Sequence, residues 1–406
     1  MKRLVGIAAV TALIAAGAFA DVSVGFYGHG SSHLVEAHNY DSDTNDAPNG
    51  FNDHQKSTAA FTNEVEISAE NEDSTIGFYV YAYQYRGSDS SEDGSYNYSG
   101  WKFEDEAKAW AKLGWLKFSL GKLRMNELVG SISDWDNGRR DVMSLSKTAI
   151  FDRFEVLGCG IEFTPTPIKG LWLGLAFDAG DTAGIKDTGD FFRSFNLGAG
   201  YGNDKFQIKA AWFNDENNDD DYIGKLELGF DLNLGESALL EIGAKIPLWS
   251  DGKQRTSPFT KVTDSPLGYE YKGLNNGNFF QIVAGLKLSS EALAFKAHAG
   301  FAGLADFDDD GDRKMAPGIF VDASLECAFT PLTLGVNLAW NGAFCEDTTT
   351  NILGAALYVK KDLASGCFIH AGIADKLTLA NEKNGGYEVD YTVNKFYIPV
   401  GIEYAF

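Results

Sequence analysis

Apolar and polar residues alternate one for one through segment after segment of this chain. Between Tyr222 and Asn233, Leu226, Leu228, Phe230 and Leu232 share one parity, and Lys225, Glu227, Asp231 and Asn233 share the other. Ser237–Leu248 repeats it, with Leu240, Ile242, Ala244 and Ile246 against Glu241 and Lys245. Successive side chains of a strand point to opposite faces, so each such segment reads as a strand with one oily and one wet face. About eighteen segments of about ten residues can be read between Val22 and the C-terminal Phe406, the length a tilted membrane strand needs.

The connections sharpen this. Asn71–Ser74, Leu113–Gly114, Asn203–Asp204, Leu234–Glu236, Thr330–Pro331 and Asp362–Ser365 are short. Between the short ones lie long polar stretches: Gly30–Ser57, Gly87–Gly100, Leu123–Phe154, Asp181–Phe192, Asp215–Asp221, Trp249–Gly277, Gly303–Pro317, Ala343–Asn351 and Lys376–Tyr391. Regular alternation of short and long is what a barrel produces when one rim carries tight turns and the other carries loops. The last segment, YIPVGIEYAF, stops on an aromatic inside the strand. In an open soluble sheet that would expose a sticky edge, whereas a closed barrel has no edge. The expectation is an all-β, antiparallel up-and-down transmembrane barrel of about eighteen strands, with sixteen as the alternative.

Residues 1–20, MKRLVGIAAVTALIAAGAFA, have a basic start at Lys2 and Arg3, a short apolar core and a small-x-small ending at Ala18–Ala20. They are expected to be a cleaved secretory signal peptide, leaving 21–406 as the barrel. Removing those two cations takes the formal charge from −23 to −25. So acidic a chain is not expected to bind nucleic acid. Cys159, Cys327, Cys367 and Cys345 lack C-x-x-C spacing and are expected as unpaired thiols.

The polar parity is expected to face the lumen. It nominates Lys209, Glu227, Asp231, Glu241 and Lys245 as lining residues, together with a basic strip of Lys108, Lys112 and Lys117 before the third long loop. The strip reads either as one pole of a transverse field across the pore or as ordinary wet lining. Tyr79–Tyr83 is apolar or aromatic on both faces and cannot be oriented from the sequence, and no row of inward aromatics is evident. The third loop, 123–154, carries apolar residues and balanced charge, unlike the acidic Asp215–Asp221, which suggests that it packs.

Ala109–Arg124, AWAKLGWLKFSLGKLR, resembles the hairpin that leads into the third outer loop of Gram-negative outer-membrane porins. The signal peptide, the barrel pattern and the terminal Phe406 add to that resemblance. It implies a third loop folded into the lumen, with Arg124, Glu127, Asp134, Asp136, Arg139, Arg140, Asp141 and Lys147 at the constriction. It further implies passive diffusion of small hydrophilic solutes, an outer-membrane location and lipid contact. Handling by the barrel-assembly machinery through the strand ending in Phe406, and a possible homotrimer, complete the set. A net-acidic lining implies a mild cation preference.

Asp306–Asp312 places acids at alternate positions with a Gly after them, but the residue six beyond that Gly is Pro317 rather than a bidentate Glu. Loose Ca²⁺ at this loop and at Asn214–Asp221 is the expectation, with no resident cofactor. No G-x-S-x-G or H-E-x-x-H occurs. The chain is not expected to be an enzyme. The alternative to a pore is a surface adhesin or antigen with a plugged barrel.

Overall fold

The computed structural model describes residues 21–42, 50–52, 59–91, 94–102, 106–124, 155–178, 195–214, 222–249, 259–261, 269–271, 280–307, 313–346, 348–384 and 387–405. The expected signal peptide lies outside them.

One antiparallel sheet of 20 segments runs round the molecule and closes on itself. Its staves are β1 (Asp21–Ser42), β2 (Ala59–Glu70), β3 (Ile76–Ser91), β4 in two pieces (Gly94–Lys102 and Ala107–Leu113), β5 (Leu116–Arg124) and β6 (Glu155–Phe163). Next come β7 (Leu171–Asp178), β8 (Phe195–Gly202), β9 (Phe206–Asn214), β10 (Tyr222–Asn233), β11 (Ala238–Trp249) and β12 (Phe280–Ser289). The ring is completed by β13 (Leu293–Phe307), β14 (Arg313–Phe329), β15 (Leu332–Phe344), β16 (Thr348–Ala364), β17 (Cys367–Asn384) and β18 (Tyr387–Ala405). Both pieces of β4 pair with β3, and Gly50–Asn52 only caps β1, so the closed barrel has 18 strands. β18 pairs with β17 on one side and with β1 on the other, from Tyr27↔Ala405 to Ser42↔Tyr391.

The short connections fall where the sequence put them, at one rim. Polar side chains close them locally: Asn71 Oδ1 accepts from the amides of Thr75 and Ile76 at 2.7 and 2.9 Å. Asn203 Oδ1 does the same for Lys205 and Phe206, at 2.9 and 3.1 Å. In the β4–β5 turn the backbone needs φ +62° at Gly114, a left-handed conformation that glycine adopts without penalty.

Polarity is inverted relative to a soluble barrel. On β15 and β16, Leu338 and Leu357 are 54% and 50% exposed on the outside, while the alternate residues Asn337 and Tyr358 are 7% and 3% exposed. The same holds for Leu228 outside and Glu227 inside on β10, and for Ile242 outside and Glu241 inside on β11. All four cysteines are free thiols.

The strands on one side are longer than alternation suggested. Gly30–Ser42, expected as loop, continues β1 and pairs with β18. Most of Gly87–Gly100 is a hairpin tip, Ser91↔Gly94. The stretches Gly303–Pro317 and Lys376–Tyr391 are likewise mostly paired, with Asp306↔Lys314 and Asn384↔Tyr387. These extensions carry polar residues on both parities. Asn381 donates to Asp390 across one of them at 2.7 Å. With no oily face to turn outward, the alternation that marks a strand is lost, although the ladder continues. Inside the expected loop Trp249–Gly277 lies a small separate hairpin, Phe259–Lys261 with Tyr269–Tyr271.

Candidate functional site

The inner wall is the functional surface, and register builds it. Tyr79, Tyr81 and Tyr83 stand directly opposite Ser68, Glu66 and Glu64, the wet parity of β2. Phe78, Val80 and Ala82 stand opposite Ala69, Ile67 and Val65. Hence β3 turns a column of three tyrosines inward. The sequence could not orient this strand because both its faces are apolar or aromatic. The missing signal lay in its neighbour, which is polar on one face only.

The three lysines of the basic strip stand on one hairpin. Lys108, Lys112 and Lys117 all face inward on the β4–β5 hairpin, beside Trp110. Lys117 is bonded to Glu162 at 3.1 Å on the adjoining strand and sits 5.3 Å from the Trp110 ring centroid. Lys108 is ion-paired with Glu106 and stands 5.7 Å over the ring of Tyr79. Lys112 lies directly across from Lys117. Together with Ser68 and Glu70 they surround a cavity of about 540 Å³ at the short-turn end of the lumen.

A second network crosses β11 to β14. Glu241, Gly285, His298 and Asp322 stand opposite one another on these four strands. Lys287 donates to Glu241 at 2.8 Å, and His298 Nδ1 lies 3.3 Å from Asp322 Oδ1. The imidazole Nε2 is 3.9 Å from Glu241. Gly285 makes this possible. A Cβ there would stand 2.2 Å from His298 Cδ2, so the ring lies where any side chain would be. Asp231, on β10, is directly opposite Glu241. Charged inner groups in a medium of reduced dielectric are stable only when paired in this way.

On the β4–β5 hairpin and on β10 the exposure of the inward residues falls from the short-turn rim toward the loop rim. Lys112 is exposed, Lys117 half-buried and Ser119 buried, and Leu123, at the end of β5, is fully covered. On β10, Asn233 is exposed and Asp231 half-buried, whereas Glu227 and Lys225 are each 1% exposed. Lys245 and Gln281 match them at 1%. Lys225 is 3.4 Å from Glu227 and stands 5.3 Å over the Phe213 ring. Beside these charges lies an inward apolar patch of Leu123, Ala176, Ala211 and Phe213, with Trp172 packed against it. Glu227 and Lys245 lie on the polar parity of β10 and β11 and are almost wholly covered.

Of the nominated residues, Lys209 and Asp231 are half-buried and Glu241 is buried, all nearer the short turns on the same wall. Arg124 is the last residue of β5. Glu127, Asp134, Asp136, Arg139, Arg140, Asp141 and Lys147 lie outside the described residues, as do most of Asn214–Asp221 and positions 308–312. Among the described residues no group of three metal-ligating side chains gathers. Sequence reading passed over Lys287, Gln281 and Glu162. Each alternates with apolar neighbours such as Ile282, Leu286 and Ile161, so parity alone would have placed them.

No known family's sequence profile matches the chain, and no curated protein matches it. Solved structures do resemble it over nearly its whole length. OpdL of Pseudomonas aeruginosa is 12% identical with a TM-score of 0.49, covering 95% of this chain and 99% of that one. OccAB3 of Acinetobacter baumannii is 10% identical with a TM-score of 0.49, over 95% and 99%. A porin structure is 12% identical with a TM-score of 0.44, over 95% and 100%.

Proposed function

We propose that the chain is an outer-membrane porin, a water-filled channel through which small hydrophilic solutes and ions diffuse passively. One observation carries this: around a closed ring of 18 strands the oily parity faces out and the charged parity faces in. An outer surface of that kind is unstable in water and stable in hydrocarbon. A ring of this size is too wide for wall side chains alone to fill. Export by cleavage after Ala20, assembly through β18 and a homotrimeric state belong to the same reading.

The third loop, 123–154, forms the constriction, entering from the loop rim and resting on the Leu123–Phe213 patch. The support is the exposure along the β4–β5 hairpin and β10: near that rim their inward residues Leu123, Lys225 and Glu227 are covered, whereas Lys112 and Asn233, nearer the short turns, are open. Arg124, Glu127, Asp134, Asp136, Arg139, Arg140, Asp141 and Lys147 then face the lining charges across the narrowest part. With a formal charge of −25 once residues 1–20 are removed, the channel passes cations somewhat better than anions.

The same covered wall favours a second reading, a plugged barrel that serves as a surface adhesin. Planar-bilayer recording of the refolded protein under a salt gradient separates them. Stepwise conductance with a reversal potential of cation-selective sign supports the pore. Absence of steps sinks it, and anion selectivity removes the proposed cation preference.

A further inference from the structure

The cavity at the short-turn mouth holds six charged side chains, and four of them are already matched. Lys108 pairs with Glu106, and Lys117 pairs with Glu162. Lys112 and Glu70 remain, each without an ion pair among the described residues. They do not neutralise each other, and their placement explains why. Glu70 stands opposite Gly77, which stands opposite Trp110, and Lys112 is two residues beyond Trp110 on the same strand. Two strand spacings and two residue rises put their Cα atoms roughly 12 Å apart. The floor between them is the Trp110 indole, lying on Gly77, where a Cβ would be 2.5 Å from the ring. The Lys117 ammonium directly across from Lys112 raises the local positive potential further.

We infer that this cavity is a binding subsite for a zwitterionic solute of dipeptide size, its carboxylate held by Lys112 beside Lys117 and its ammonium by Glu70. Two residues of extended chain span about 7 Å. Both side chains rise from the same inner face, so their charged ends stay on the order of 12 Å apart, and a charge-assisted hydrogen bond of about 2.8 Å at each end fills the remaining gap. The volume, about 540 Å³, falls in the range of small-molecule sites. A purely anionic solute would leave Glu70 unmatched and repelled, and a purely cationic one would do the same to Lys112. This inference rests on the porin reading, since it names a solute that such a channel would select at its exit.

The test uses the refolded full chain in a planar bilayer, with glycylglycine added on the short-turn side. N-acetylglycylglycine and glycylglycine amide serve as the singly charged controls. The zwitterion should reduce the current at a concentration about tenfold below that needed by either control, the factor that one matched charge contact supplies. Lys112→Gln and Glu70→Gln should each raise that concentration about tenfold, measured against each variant's own current in plain salt. Equal block by the acetylated form, or block indifferent to both substitutions, overturns the inference while the pore reading stands. If no current flows, equilibrium dialysis of labelled glycylglycine against the solubilised protein still decides: retention lost in Lys112→Gln supports the site, and no retention by the parent chain ends it.

Discussion

The ring of Tyr358 lies across Gly335, its directly opposed partner on the next strand: a Cβ on that glycine would stand 2.0 Å from Tyr358 Cζ. The ring continues over the glycine to a third strand, where its hydroxyl donates to Glu326 at 2.7 Å. The same layout recurs as His298 on Gly285 and as Trp110 on Gly77. Each glycine lets a large inward side chain lie flat on the wall and keeps the lumen clear, and Tyr358 and His298 reach across theirs to a third strand. Gly335→Val should force the ring off its bed and break the bond to Glu326. The expected loss is about 1–3 kcal/mol of stability from overpacking, read as a lower urea midpoint for the folded barrel. Substituting the outward Val336 by Ala should cost much less.

Glu241 is 4% exposed, and Lys287 is its close cationic partner. Lys287→Met leaves that carboxylate facing Asp231 and sharing only His298. The expected cost is about 1–3 kcal/mol, the penalty for a buried acceptor stripped of its donor. Lys287→Met combined with Glu241→Gln should recover part of it. Equal midpoints for single and double variants would show that the pair does not contribute as a pair.

The ring and its turns were legible in the sequence because lipid and water impose opposite demands on alternate residues. Leu226 to Leu232 against Lys225 to Asn233 gives both the strand and its facing. Three things were not legible, each for a physical reason. The extensions of β1, β14 and β18 beyond the oily band carry polar residues on both parities, so parity carries no signal there. The tyrosines of β3 took their direction from Glu64 and Glu66 on β2, a contact between strands and not a pattern within one. Burial of Lys225 and Lys245 depends on what fills the barrel. Alternation reports which way a side chain points, not what it meets.

Leu338 is central on β15 and 54% exposed, in contact with whatever surrounds the barrel. If that medium is hydrocarbon, Leu338→Arg costs about 2–4 kcal/mol, as measured for cations near the bilayer midplane. Refolding into lipid vesicles with urea titration would report it. The neighbouring inward Asn337→Ala should have a smaller effect. A soluble barrel would show the reverse order, because Arg at an exposed site in water is nearly free and loss of a buried amide is not.

Phe213 anchors the inward patch with Leu123, Ala176 and Ala211, and its neighbour Trp212 points outward from the same strand. Should the third loop rest on that patch, Phe213→Ala removes its largest contact and the bed beneath Lys225. Truncating a fully buried Phe costs about 3–5 kcal/mol. Here part of that loss should appear as release of the loop instead of unfolding of the ring. The expected outcome is higher single-channel conductance with more frequent fluctuations, and little change in the urea midpoint of the strands. Trp212→Ala, on the lipid side, should leave conductance unchanged. A Phe213→Ala channel with parental conductance and a large fall in barrel stability would place the patch in the wall's own packing and remove the support for an inward-folded loop.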